Sequence, residues 1–349
     1  MKKFKLPAQK PKVSIDERGK RILAEVQVNG FLLPEGHPPV KNKFMRNMGY
    51  VIDGLLRLAD VSVYDEGGTA RSATISTGGL LYSYATTNSQ GVTVFMQNGI
   101  GSTTPTVTDN NLASADILLP THYIDVVEAS DSTTLVFAAR WSPDASKSYI
   151  EAGLKWLFNV PSNYATLLAR TVFSASLVRS AYTMYFDGYA INLPASFTRW
   201  FARALAAATC GHDARLTRGM PCTAQDGSAY SLRSPRAFAG TPDVMIGSDN
   251  TAPNPNDYDL KAPIASLASQ TQGVEVDTTL QEVRVVRTGT YTPSSNVTLG
   301  EIGLFANLHG YRAGTLAGRK TLLVRVALST PVTLYANTTY TLGIVIKLT

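Results

Sequence analysis

Two hydrophobic periods run through this chain. Near its end Tyr340, Leu342, Ile344, Ile346 and Leu348 alternate with Thr339, Thr341, Gly343, Val345 and Lys347. That period of two places one set of side chains on a buried sheet face. Val274, Val276, Thr278 and Leu280 alternate in the same way, followed by Val283 and Val285. A helical period appears twice. Phe44, Met48, Val51, Ile52 and Leu55 fall on one face after Asn42. Phe197, Trp200, Phe201, Ala204, Leu205 and Ala208 do so after Ser196, with Gly211 at the expected stop. Clusters of Gly, Pro, Asn, Asp and Ser, such as Ser248 to Asp259, mark turns between the strands. The pattern predicts a mainly β protein built of sandwiches, each with one accessory helix at its side or end.

The chain also repeats itself. Residues 167–193 and 322–348 align without a gap at a shift of 155, and 10 of the 27 positions are identical. Chance would give about two at ordinary residue usage. Glu151-Ala-Gly-Leu154 matches Glu301-Ile-Gly-Leu304 at a shift of 150, and Ile100-Gly-Ser102 matches Ile246-Gly-Ser248 at 146. An Asp-x-x-Leu follows in each copy, Asp109 to Leu112 and Asp257 to Leu260. Two tandem β-sandwich units are therefore expected, 42–194 and 195–349, each of a size that buries roughly 70% of its unfolded surface. Residues 1–41 precede them as an extended basic N-terminal arm and a connecting strand. Leu23, Val26, Val28 and Phe31 mark the strand, and Pro34, Pro38 and Pro39 mark the connection.

Charge sharpens this division. The 349 residues carry a net +6. Residues 1–21 hold eight basic side chains (Lys2, Lys3, Lys5, Lys10, Lys12, Arg18, Lys20 and Arg21) against Asp16 and Glu17, which already accounts for +6. The remainder has 24 charges of each sign. A folded nucleic-acid-binding face would spread its basic residues over the body, so nucleic-acid contact is expected through the arm only. The arm reads either as a solvated terminus or as an assembly arm that docks on an acidic neighbour or nucleic acid. No apolar run approaches the ~18 residues of a membrane span, and no apolar stretch follows the basic start as a signal peptide requires. Synthesis and assembly in a cytoplasm, without membrane contact, are expected. The two cysteines, Cys210 and Cys222, are read as reduced thiols.

Candidate chemistry is sparse. His37, His122, His212 and His309 stand apart from one another, and no phosphate-binding loop, dinucleotide fingerprint or nucleophile elbow occurs. The oxygen-rich segment Asp249 to Asp259 lacks calcium-loop spacing and is read as a turn-rich loop. No metal, cofactor or catalytic residue is assigned, and the chain is read as a non-enzyme. Glu151 and Glu301 are the acids fixed in both copies, and each is expected to cap a turn or to meet an arginine, for instance Arg170 or Arg325. The repeated structural motif thus comprises Glu151, Gly153, Leu154 and Arg170, with Glu301, Gly303, Leu304 and Arg325. Tyr182, Tyr185, Phe186 and Tyr189, with Trp141 and Trp156, could form a sugar-stacking platform, although half-buried sheet aromatics are the commoner case.

These motifs resemble a module of tailed-bacteriophage virion proteins. The residues that carry the resemblance are Ile246-Gly-Ser248, Pro253, Asp257 and Leu260, then Glu301-Ile-Gly-Leu-Phe305, Leu322-Leu-Val-Arg325 and Pro331-Val-Thr-Leu334. The resemblance implies a structural role in a tail, baseplate or collar, with other virion proteins as partners. A homo-oligomeric ring of three-, six- or twelve-fold order is the assembly a duplicated chain would suit. The alternatives are a capsid decoration protein and a carbohydrate- or receptor-binding module of the virion.

Overall fold

The computed structural model describes residues 10–73, 94–121, 123–158, 164–209, 220–232, 237–312 and 314–349. The described chain is mainly β. It opens with a hairpin of β1 (Lys12–Ile15) and β2 (Arg21–Leu33), then the short β3 (Val40–Lys41) and β4 (Lys43–Phe44). Helix α1 (Arg46–Arg57) leads into β5 (Val61–Tyr64), β6 (Ala70–Ala73), β7 (Val94–Gly99), β8 (Ala115–Pro120) and β9 (Tyr123–Glu128). β10 (Ser132–Trp141), β11 (Lys147–Phe158), β12 (Tyr164–Arg179) and β13 (Tyr185–Pro194) follow. Helix α2 (Arg199–Thr209) then starts the same sequence of elements again. It runs through β14 (Pro221–Thr223), β15 (Ala229–Leu232), β16 (Phe238–Gly247), β17 (Pro263–Ser266) and β18 (Ala268–Asp277). It ends with β19 (Glu282–Tyr291), β20 (Val297–Arg312), β21 (Thr315–Leu334) and β22 (Tyr340–Leu348).

Corresponding strands pair in corresponding register. β11 lies between β7 and β12, with Glu151 opposite Gly99 on one side and Val172 on the other. β20 lies between β16 and β21, with Glu301 opposite Gly247 and Ala327. Both central strands carry irregularities just before the Glu and just after the Leu of Glu-x-Gly-Leu, at Tyr149/Glu151 and Leu154/Lys155, and at Leu299/Glu301 and Leu304/Phe305. Such bulges turn a strand locally and re-aim its side chains.

Strand β2 ties the two halves together. Its first part, Arg21–Val28, runs parallel to Thr341–Leu348 of β22, while Asn29–Leu33 pairs antiparallel with Asn192–Gly188 of β13. A sheet in the order β18-β19-β22-β2-β13-β10-β9 results. The helices cross between halves as well. α1 packs on β5 and β12 but also on β16, β18 and β19, while α2 packs on β14, β15 and β21 but also on β9 and β10. Each helix is buried on more than one side, so it covers strands of both halves. Among the described residues the main core cluster runs from Ile22 to Leu348 and draws on both halves.

The helix starts differ from those expected. Neither Asn42 nor Ser196 opens a helix. Phe44 pairs with Ala169 and Phe197 bridges to Val324, which keeps the chain extended for longer. The helices start at Arg46 and Arg199, whose N–H groups donate to Val107 O and Pro255 O, each at 2.8 Å. The stop expected at Gly211 lies outside the described residues. The described part of the arm folds back on itself as the β1–β2 hairpin. Asp16 accepts from the N–H groups of Lys20 and Arg21, Gly19 takes a positive φ of 64°, and Lys12 faces Glu25 in the hairpin. These contacts hold Asp16 below its usual carboxylate range, the Arg21 N–H contributing most.

Candidate functional site

The glutamate, glycine and arginine of each motif help build two buried centres of matching design. In the first, Glu151 on β11 is completely buried. Its Oε1 accepts from the N–H groups of Gly101 at 3.0 Å and Ser114 at 2.7 Å, and its Oε2 accepts from Ala113 N–H at 3.0 Å. Arg170, on the neighbouring β12, donates from Nε to Glu151 Oε2 at 2.9 Å and from Nη1 to Asp109 at 2.6 Å. Its Nη2 donates to Thr103 O and Oγ1, each at 2.9 Å. The strands thus present a fixed ion pair, and the loop 99–115 is wrapped around it.

The second centre repeats this almost atom for atom. Glu301 accepts from Lys261 N–H at 3.2 Å and Ala262 N–H at 2.8 Å. Arg325 donates from Nε to Glu301 at 2.6 Å, from Nη1 to Asp257 at 3.1 Å, and from Nη2 to Asp249 at 2.9 Å. Asp257 also accepts from Asn254 N–H, as Asp109 does from Thr106 N–H. The oxygen-rich segment 249–259 therefore surrounds a guanidinium, which supplies the cation that its carboxylates require. Asp249 lies below its usual pKa, chiefly through the Thr251 hydroxyl and N–H, with Arg325 adding to the effect.

The remaining motif positions explain the spacing. A Cβ on Gly153 would lie 2.9 Å from Leu112 Cδ2, and one on Gly303 would lie 2.7 Å from Leu260 Cδ2. Glycine is required there because the leucine of each Asp-x-x-Leu packs down onto it. Leu154 and Leu304 point the other way, into the core. The glycines opposite the glutamates are similar: a Cβ on Gly99 or Gly247 would meet the Glu151 or Glu301 carboxylate within 2.8 Å. Gly99 is thus the counterpart of Gly247, two residues away from the Ile-Gly-Ser alignment expected from sequence.

Chemically, these centres are saturated. Every carboxylate oxygen of Glu151 and Glu301 accepts from a backbone N–H or an arginine, so neither is placed to take a proton from a substrate. The arrangement fixes loops. An intact buried pair of this kind adds little net stability, whereas breaking it by removing one partner is costly. The arm residues form no part of it. Lys10, Lys12, Arg18, Lys20 and Arg21 are exposed along the N-terminal hairpin, and Lys2, Lys3 and Lys5 lie outside the described residues.

Several polar groups carried no signal in the sequence. Lys155 is fully buried where the second half has Phe305, and it pairs with Glu66 and Asn111. Burial lowers its pKa against the pull of Glu66. Asp187 accepts from Trp141 Nε1 at 2.8 Å and from Arg179 at 2.7 Å. Cys222 is a buried free thiol pushed up to about 12 by desolvation, and Cys210 lies outside the described residues, as do His122 and His212. Among the described residues no three His, Cys, Asp or Glu side chains gather as a metal site, and no helix is long and apolar enough to cross a membrane.

No protein-family model and no curated protein matches the chain. Among solved structures, 2'-deoxycytidine 5'-triphosphate deaminase from Agrobacterium tumefaciens is matched over 73% of this chain and 86% of that one, at 11% identity and a TM-score of 0.11. A likeness that slight carries no argument about fold or activity.

Proposed function

We propose that the chain is a non-enzymatic structural subunit of a tailed-bacteriophage virion, acting in the tail, baseplate or collar through protein–protein surfaces. In this reading it is a tandem copy of one β-sandwich unit, assembled in the host cytoplasm and incorporated into the particle. The observation that carries it is the twin arginine centre. The charged residues the two halves share are spent on holding loops, which is what a subunit selected for shape needs. The strand β2, lent from outside both repeats, and the crossed helices set the two units at one fixed angle. Two similar but diverged units in a rigid chain let a three-fold ring of subunits present six related surfaces, or a six-fold ring twelve. The exposed basic residues of the hairpin then face acidic neighbours.

The test is recovery in particles. Phage particles from cells carrying this gene are purified, washed in high salt and quantified by mass spectrometry, and the chain is located by electron cryomicroscopy. A fixed copy number at the tail, collar or baseplate is the expected result. Production in the lysate with absence from washed particles would overturn the proposal, and hundreds of copies on the shell would favour the decoration role instead.

A further inference from the structure

The crossing from β12 to β13 carries four exposed apolar side chains, Val178, Tyr182, Met184 and Phe186, with 62, 83, 44 and 50% of their surface in solvent. The crossing from β21 to β22 has the same backbone. Tyr182 and Asn337 are both left-handed, with φ of 56° and 58°. Ser180 N–H donates to Tyr185 Oη at 2.8 Å, and Tyr335 N–H donates to Tyr340 Oη at 2.9 Å. Yet the four matching positions, 155 residues later, are Thr333, Asn337, Thr339 and Thr341. The fold itself therefore does not demand apolar residues here. At these four positions one copy is polar, its turn exposing only Tyr335 where the other has Ser180, and the other copy exposes apolar surface of the kind that marks interaction sites.

We infer that this corner is a self-association surface, which takes the same corner of a second copy of the chain in a two-fold contact. Its composition is that of a protein interface: Tyr, Phe and Met beside an arginine, with the Arg140 guanidinium 5.7 Å from the Phe186 ring. Its size suits a two-fold pair. Tyr182, Met184 and Phe186 leave on the order of 400 Å² exposed per copy, or about 800 Å² per pair. With about 57% of such an interface non-polar, this corresponds to about 1,400 Å² in all, inside the range of stable complexes. Its charges are self-complementary. Arg140 lies opposite Phe186 in the sheet, and Glu35 accepts the Phe186 N–H at 2.6 Å, so opposite signs flank the same residue. A two-fold axis sets Arg140 of one copy towards Glu35 of the next. Outside residues 1–21 the chain has 24 charges of each sign, so the paired bodies meet without net repulsion.

This inference does not depend on the virion reading. It is tested on the purified full-length chain, by sedimentation and light scattering over a dilution series. The variant is Tyr182→Asn/Met184→Thr/Phe186→Thr, which installs the residues of the sister turn. The wild type is expected as a dimer whose mean mass falls on dilution, and the variant as a monomer with an undiminished melting temperature. If the triple variant fails to fold, Tyr182→Asn alone is expected to raise the dimer dissociation constant by about tenfold. A wild type that stays monomeric at about 100 μM, where even a weak pair with micromolar Kd would form, overturns the inference. So does a variant that dimerises as the wild type does, or one that loses only the binding of a different molecule.

Discussion

Tyr182 and Asn337 sit at one backbone position of the repeated turn, and their N–H groups donate to Pro143 O and Pro293 O, each at 2.8 Å. The left-handed conformation costs a residue with an ordinary side chain about 1–2 kcal/mol, and asparagine tolerates it better. The sequence satisfies this preference in one repeat and not in the other. Tyr182→Asn is therefore expected to raise the free energy of unfolding by about 0.5–1 kcal/mol, and Asn337→Tyr to lower it by a similar amount. Urea midpoints at dilutions where the chain is monomeric, with unchanged slopes, check both signs.

Glu301 and Arg325 make a buried pair that also holds Asp257 and Asp249. Removing one partner leaves the other charged and dry. Glu301→Gln is expected to cost about 3 kcal/mol, at the low end for breaking a buried pair, because Arg325 keeps Asp257 and Asp249. Arg325→Met is expected to cost at least as much, because it leaves the buried Glu301 without a cation and Asp257 with only the half-exposed Lys261. The matching Glu151→Gln and Arg170→Met should behave alike. Denaturant titrations give the values. A double-mutant cycle on Glu301 and Arg325 should return a coupling well above zero.

How the halves are joined decides the shape of these transitions. One core runs through both halves, and β2 is paired to each. Calorimetry is therefore expected to show one cooperative transition, and Glu301→Gln should lower its midpoint without splitting it. Two resolved transitions would show that the halves unfold independently.

Much of the motif could be read from the chain because its polar members recur at nearly fixed separations. Glu151, Arg170 and Asp109 recur as Glu301, Arg325 and Asp257, and they meet in the same geometry. Gly101 misleads, because it stands where the second half has Asp249, and a local match of Ile-Gly-Ser displaced the alignment by two residues. Hydrophobic period shows that a helix face is buried but not what covers it, so the crossing of α1 and α2 leaves no trace in sequence. The strand β2 was legible as a strand through Leu23, Val26 and Val28. That it would join strands of both halves into one sheet depends on partners more than 150 residues away.

Where the helices cross, the two interfaces have diverged. Arg287 on β19 is buried near Asp53 of α1, and burial pulls its guanidinium down to about 10 against the Asp53 charge. Asp53 itself pairs with Arg57 at 2.6 Å. The matching positions on β10 and α2 are Phe137 and Ala206, both buried and apolar. Asp53→Ala alone is expected to destabilise, since it removes the ion-pair partner of Arg57 and the nearby negative charge that opposes the burial of Arg287. Combined with Arg287→Phe, which copies the sister interface, the loss should be recovered or reversed. Thermal and urea unfolding of the two variants check the reversal.

The acid limb of stability should trace to particular aspartates. The Arg71 hydrogen bond, opposed by desolvation, holds Asp65 below its usual pKa, with the N–H groups of Thr69 and Gly67 adding to it. For Asp243, burial acts upward, but hydrogen bonds from Lys320, Gln270 and Ser266 outweigh it and leave its pKa lowered. In the unfolded chain both titrate near the ordinary aspartate value of about 3.9. Above that pH both states are ionised and the full stabilisation is present. As pH falls below it the unfolded chain takes up protons first, so stability declines, and the contribution is gone once the folded-state pKa values are passed. Asp65→Asn and Asp243→Asn should therefore cost stability at neutral pH and cost progressively less below about pH 4. Urea midpoints of wild type and variants measured from neutral to strongly acidic pH check this. A penalty that stays constant across the acid range would assign these aspartates no part in the limb.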